Sequence, residues 1–212
     1  MFPGQPLSHS GTLPDDADFR QIAQATRERA GLNLNDFTWS GTPSTESVAL
    51  QIYGVAMSLY RARLLAREEI RPRLIAEHSM GIYPALAASG ALPEGEALEL
   101  TARIGRCMSV MSETASYALG CIVGLPGEVV LSIAENNDVF MANHNTSRHF
   151  LLSGERRNIE SLETEALARG AFSVKLFPCD APLHTPMMEA RGDRLQEIIT
   201  DYRYGEPAVP LM

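Results

Sequence analysis

Cysteine is scarce: Cys107, Cys121 and Cys179 are the three in 212 residues, an odd number without metal-ligand spacing. That excludes a disulfide framework and a zinc module, and makes buried thiols in a reducing compartment the expectation. No apolar run approaches the roughly 18 residues that a membrane-spanning helix needs. The N-terminus turns polar by Gln5, unlike a secretory leader, so no membrane association is expected and the cytoplasm is the expected compartment. No lysine or arginine cluster concentrates on one segment, and the net charge is −8. Arg27, Arg29, Arg61, Arg63, Arg67, Arg71 and Arg73 alternate with apolar and acidic residues, which reads as solvated helix faces and argues against a nucleic-acid surface. No glycine-rich phosphate loop follows an apolar run, and the five histidines show no ligand spacing. Neither a metal nor a bound cofactor is expected.

What is present is an ordinary globular balance, 45% hydrophobic and 21% charged, in a chain long enough to bury a full core. Residues 1 to 20 hold Pro3, Gly4, Pro6, Gly11 and Pro14 and read as a loop running into an amphipathic helix over 16 to 30. Residues 32 to 44 are a connection, and Ser44 or Thr45 caps a long helix through about Arg67. Leu74, Ile75 and Ala76 read as a buried strand, Tyr83 to Leu92 as a helix, and Glu94 to Met111 as another. From Tyr117 the texture shortens. Ala118 to Leu125 reads as a strand, Pro126 to Ala134 as a helix, Val139 to Asn143 and His149 to Leu152 as strands, Glu155 to Arg169 as a helix, and Ala171 to Phe177 as a strand. This β-α-β-β-α-β order describes a split, ferredoxin-like sheet inserted into a larger α/β body.

Ser79 sits where the strand over 74–76 turns into the helix from Tyr83, with Gly81 supplying the turn and Pro84 in the first helical turn. A nucleophile elbow holds its serine at such a place, so that the hydroxyl projects from the sheet edge and neighbouring amides face a developing oxyanion. The elbow pattern Gly-x-Ser-x-Gly here reads Glu77-His78-Ser79-Met80-Gly81, with the first glycine replaced. On this pentapeptide alone, a nucleophile and an ordinary N-capping serine are both open.

Four segments in register point further: Phe2-Pro3-Gly4-Gln5; His78-Ser79-Met80-Gly81 with Tyr83-Pro84-Ala85-Leu86; Asn143-His144-Asn145 ahead of Phe150 to Gly154; and Leu183-His184-Thr185-Pro186-Met187-Met188. Together they resemble the malonyl-CoA:acyl carrier protein transacylases and the acyltransferase domains of polyketide and fatty acid synthases. The resemblance implies an α/β-hydrolase-like large lobe with a parallel sheet, residues 1–115 and 179–212, and an inserted ferredoxin-like small lobe, residues 116–178. It also implies a strand ahead of Phe2 and further residues past Pro210, so the chain is expected to be truncated at both ends.

By the same resemblance Ser79 is the nucleophile and His184 the base that takes its proton. Gln5 and the backbone N–H of Met80 are the oxyanion donors, and His78 is a packed, hydrogen-bonded neighbour. Asp180 has no triad role in the resemblance and reads as a solvated loop carboxylate. Asn143 and Asn145 line the substrate site or, on their own chemistry, form a β-turn between two strands. Malonyl-transferring members fix the distal carboxylate with an arginine on the helix after the elbow; that position is Ile104, which cannot replace a charge-assisted fork. Leu183 before the histidine and Ile82 after the elbow also make the pocket more apolar. The expected activity is transfer of an acyl group, uncharged rather than malonyl, from acyl-CoA to an acyl carrier protein thiol. An editing acyl-thioester hydrolase and a catalytically degenerate scaffold module stand as alternatives. The arginines over 61–73 leave a dock for the acidic carrier open.

Overall fold

The computed structural model describes residues 1–4, 12–37, 48–113, 115–179 and 181–212. The described chain divides into two compact units, one of residues before 108 together with 194–212, the other of 108–193.

The first unit is built around α2 (Val48–Arg67), whose residues from Leu50 to Tyr60 are all buried. Apolar side chains fall all round this helix, which is the mark of a core element rather than a surface one. Against it pack α1 (Ala17–Ala25), α3 (Ile82–Ala88) and α4 (Glu94–Ser109), contributing Phe19, Ile22, Leu98 and Ala102 to one core. α1 starts at Asp16, whose carboxylate accepts from the Phe19 amide and from the Tyr60 hydroxyl, both at 2.8 Å. The amphipathic helix expected over 16 to 30 is thus α1 plus a π-helical turn, Thr26–Ala30, closed by Gly31 in the left-handed region. The caps expected at Ser44 or Thr45 lie outside the described residues.

Among the described residues, the parallel sheet expected in this unit is minimal. Ile75 to Glu77 forms the middle of three parallel stretches, bridged to Phe2 on one side and to Leu211 on the other. Phe2 donates to Ala76 at 2.9 Å and accepts from His78 at 3.1 Å, while Ile75, Glu77 and Met212 complete the other edge at 2.9 Å. Ile75 is buried, but Leu74, expected inside, is 50% exposed because pairing begins only at Ile75.

In the second unit the element order is the one read from the sequence. β1 (Tyr117–Val123), α5 (Gly127–Asn136), β2 (Phe140–Thr146), β3 (His149–Glu155), α6 (Arg156–Ala168) and β4 (Ser173–Cys179) build an antiparallel sheet in the order β2-β3-β1-β4. Side chains alternate along a strand. Ala118, Ile122, Phe150 and Leu152 therefore share one face and pack with Val130, Ile133, Ile159 and Leu162 of α5 and α6. Tyr117 and Leu119 point to the other face, where they meet Met111, Cys179 and Ala181. The chain ends with α7 (Gly192–Thr200) and the 210–212 edge.

Leu152 is fully buried at the centre of the α5/α6 face. Leu152→Ala is expected to cost about 2–5 kcal/mol, read as a lower urea midpoint for loss of the sheet; an unchanged midpoint would show that this core contributes little.

Candidate active site

Ser79 has φ +53 and His184 has φ +57; with Glu69 and Asp138 they are the four non-glycine residues at positive φ among the described residues. Glu69 and Asp138 have an ordinary reason. Each follows a helix, and the next amide, of Ile70 or Val139, donates back to Leu65 or Ala134, closing a left-handed C-terminal cap. Ser79 and His184 end no helix. Holding such a residue costs on the order of 1–3 kcal/mol and survives only where the surroundings enforce it.

At Ser79 the surroundings are backbone. The chain arrives extended through His78 (φ −140, ψ 121), reverses at Ser79, makes a 3-10 turn over Ser79–Gly81 and enters α3. The Gly81 amide donates to the His78 carbonyl at 2.9 Å. Phe2 to Gly4 lies directly against this turn. A Cβ on Gly4 would come within 2.7 Å of the His78 ring and 2.8 Å of its carbonyl oxygen, and one on Gly81 within 2.4 Å of the Phe2 oxygen. Gly81 sits at φ −59, so space rather than dihedral freedom requires glycine there. Glu77 stands in place of the first glycine of the pattern, as a member of the parallel bridge to Phe2. Met80 is buried beside Ser79, which is half-buried, and His78 is exposed. Gln5 lies outside the described residues.

Ile104 lies on α4 and is buried, 6% exposed. The arginines beside it are engaged. Arg103 donates to the Asp201 carboxylate and to the Tyr202 hydroxyl, and its guanidinium stands 5.5 Å from the Tyr202 ring centroid. Asp201 first, then Tyr202, hold the Arg103 guanidinium above its ordinary pKa. Arg106 donates to the Ala30 carbonyl at 2.7 Å.

His184, Leu183, Asn143 and Asn145 belong to the second unit. His184 is exposed at the tip of a pinned loop. Below it the Leu183 amide donates to Ala181 at 2.8 Å, and the buried Thr185 hydroxyl donates to the Pro182 carbonyl at 2.7 Å. Pro186 then opens a 3-10 helix, Pro186–Arg191. Leu183, Met187 and Met188 pack against the cluster of Met111, Tyr117, Leu119, Cys179 and Ala181, fixing the loop to this end of the sheet. The contact made by Thr185 was not anticipated from the sequence; its Thr-Pro pair, an N-cap before an N1 proline, was the available signal. Asp180 lies outside the described residues.

The β-turn open for Asn143-His144-Asn145 is corrected: these residues lie within β2, and the turn follows at Ser147 and Arg148. Register shifts between Met141 and Asn143 and between His144 and Thr146 bulge the strand. The bulge around Asn145 lets the Asn143 amide donate to its side-chain oxygen at 2.9 Å, while His144 stacks on Phe150 at 4.6 Å. Bulges of this kind re-aim side chains and are frequent beside active sites.

Among the described residues no group of three or more histidine, cysteine or acidic side chains is arranged to hold a metal ion, and no helix is long and apolar enough to cross a membrane.

Residues 16–212 match the acyl transferase domain. A malonyl CoA-acyl carrier protein transacylase of Escherichia coli O157:H7 is 25% identical over 224 aligned residues, covering all of this chain and 72% of the relative. One polypeptide of the phenolphthiocerol/phthiocerol polyketide synthase of Mycobacterium bovis is 27% identical over 185 residues, 87% of this chain and 10% of that one. The solved malonyl CoA-acyl carrier protein transacylase of Coxiella burnetii superposes with a TM-score of 0.88 at 27% identity, over 99% of this chain and 70% of its own.

The contact between Phe2 and the elbow makes a paired prediction. Gly81→Ala should cost about 1–3 kcal/mol from overpacking, whereas Gly192→Ala, at φ −52 with nothing within 4 Å, should be neutral or stabilising. Thermal melts of the two variants check this, and equal shifts would contradict it.

Proposed function

The chain belongs to the acyl transferase domain family, and we propose that it moves an acyl group from acyl-CoA to the thiol of an acyl carrier protein through an ester on Ser79. It is an acyltransferase of the malonyl-CoA:acyl carrier protein transacylase type, an activity of fatty acid and polyketide synthesis. The observation that carries the serine assignment is φ +53 at Ser79, between a parallel strand and a helix. A strained serine held by backbone contacts on both sides favours a working elbow over a degenerate module. The architecture we read is an α/β-hydrolase-like body of 1–115 and 179–212 carrying a ferredoxin-like lobe of 116–178; the β2-β3-β1-β4 sheet order supports the latter.

In the proposed cycle the Ser79 oxygen attacks the thioester carbonyl and His184 takes the hydroxyl proton. The Met80 amide, with Gln5, stabilises the oxyanion. The intermediate collapses to the acyl-serine as the coenzyme A sulfur leaves with the proton from His184. The carrier's phosphopantetheine thiol then attacks the ester, gives its proton to His184, and Ser79 leaves with it. Asn143, Asn145, Leu183 and His78 shape the substrate site. Coenzyme A enters as substrate, not as bound cofactor.

We assign an uncharged acyl group, acetyl or longer. Ile104 offers no fork for a carboxylate, and Arg103 is held by Asp201 and Tyr202. Replacing a bidentate arginine by an alkyl side chain removes a charge-assisted pair that nothing neutral restores. An editing hydrolase would share the acyl-serine and differ in the acceptor, water.

The test is the intact mass of the protein after exposure to malonyl-, acetyl- and butyryl-CoA. Acetyl or butyryl is expected on Ser79, removable by hydroxylamine and absent in Ser79→Ala, with little malonyl. Ile104→Arg should raise malonyl over acetyl labelling by about tenfold, the value of one charge-assisted bond. A wild-type protein that takes malonyl best would overturn the specificity, and free acid released equally fast without carrier protein would replace transferase by hydrolase.

A further inference from the structure

On the face of the small sheet turned away from α5 and α6, Cys121, His149 and Lys175 come together. Cys121 and Lys175 are directly opposed partners on β1 and β4. Opposed residues of an antiparallel pair have Cβ atoms about 5 Å apart, well inside the reach of a lysine side chain. His149, on β3, places its Nε2 3.1 Å from the Cys121 sulfur. Cys121 and His149 are half-buried and Lys175 is exposed. Lys175 is also the only lysine among the chain's 18 basic residues. None of the three has a part in the acyl-serine cycle.

We propose that this cluster is an acyl relay, in which Cys121 accepts an acyl group from an acyl thioester and passes it to the Lys175 amine. Burial pushes the Cys121 thiol up from its ordinary value, and the Lys175 charge opposes that rise only in part. The sulfur is therefore a thiol that needs a base, and His149 Nε2 is placed to accept its proton. In the first step the Cys121 sulfur attacks the acyl-CoA carbonyl, a carbon–sulfur bond forms, and the coenzyme A sulfur leaves with the proton from His149. In the second, the Lys175 ammonium gives one proton to water and the resulting amine attacks the Cys121 thioester. A carbon–nitrogen bond forms, the carbon–sulfur bond to Cys121 breaks, and the amine proton returns to the Cys121 sulfur through His149. The products are an Nε-acyl-lysine and free coenzyme A, with no oxidant or further reactant consumed. Cys107 and Cys179 have no such role: Cys107 lies on α4 of the first unit, and the Cys179 thiol donates to the Ala181 carbonyl at 3.0 Å.

The relay requires acyl-CoA but not the ester on Ser79, so the two fail separately. Peptide mapping of the Ser79→Ala protein after incubation with acetyl-CoA should show a hydroxylamine-stable acetyl on Lys175. Cys121→Ser should slow its appearance at least about tenfold, since the thioester route is intramolecular. Lys175→Arg, an exposed change, should instead trap a hydroxylamine-labile acetyl on Cys121, and His149→Phe should slow both. Lys175 acetylated equally fast without Cys121, or no acetyl on either residue, would overturn the relay. In the wild-type map, a labelled Lys175 with an empty Ser79 defeats the acyl-serine reading alone.

Discussion

The backbone contact between Phe2–Gly4 and the 75–81 segment is the constraint on which the first unit depends. Phe2 brackets Glu77 by hydrogen bonds to Ala76 and His78, and its carbonyl lies where any side chain on residue 81 would have to go. A Cβ on Gly4 would come within 2.7 Å of His78 and 3.1 Å of the Ser79 side chain. Two stretches far apart in sequence are thereby locked at van der Waals distance, and the strain at Ser79 has somewhere to be held. A left-handed serine without such a clamp would relax and take its hydroxyl out of place. The same contact explains why one glycine of the elbow pattern is kept and the other is not: residue 81 faces the Phe2 carbonyl, whereas residue 77 lies in the bridge.

The second unit solves a related problem with side chains. His184 shares the left-handed conformation of Ser79, and here the loop is pinned by the Thr185 hydroxyl, the Leu183 amide and the packing of Leu183, Met187 and Met188 against the cluster that holds Tyr117 and Leu119. β2 departs from regular pairing where its asparagines fall, and the bulge orders Asn143 and Asn145 as a pair. One face of the sheet is thus a core against α5 and α6. The other carries a second apolar cluster around Tyr117 and Leu119 and, further along, half-buried Cys121 and His149 with exposed Lys175.

The elements of the second unit were legible in the sequence because each is bounded by its own punctuation, Pro126 before α5 and Gly170 before β4, and because alternation marks the buried face. Long α2 was equally plain. Boundaries were less so: the helix expected to Leu92 ends at Ala88, where Ser89 and left-handed Gly90 cap it, and the one expected to Met111 gives way to a 3-10 turn from Val110. Leu74 was placed inside on hydrophobicity, but burial there depends on which residues pair, a long-range fact that composition does not carry. The Asn-His-Asn turn failed for a like reason, since good turn residues also serve in a bulge. At the proposed site, the motif order pointed to Ser79 and His184, while the contacts around them, the close approach of Gly4 and the hydroxyl of Thr185, became visible only in three dimensions.

The central claim, that the elbow presents an activated serine, is tested most directly with a serine-reactive fluorophosphonate probe on the whole chain. Stoichiometric labelling at Ser79, lost in Ser79→Ala and slowed at least about a hundredfold in His184→Ala as expected for loss of a general base, is the predicted result. A folded wild-type protein that stays unlabelled, or that labels equally well without His184, would contradict it.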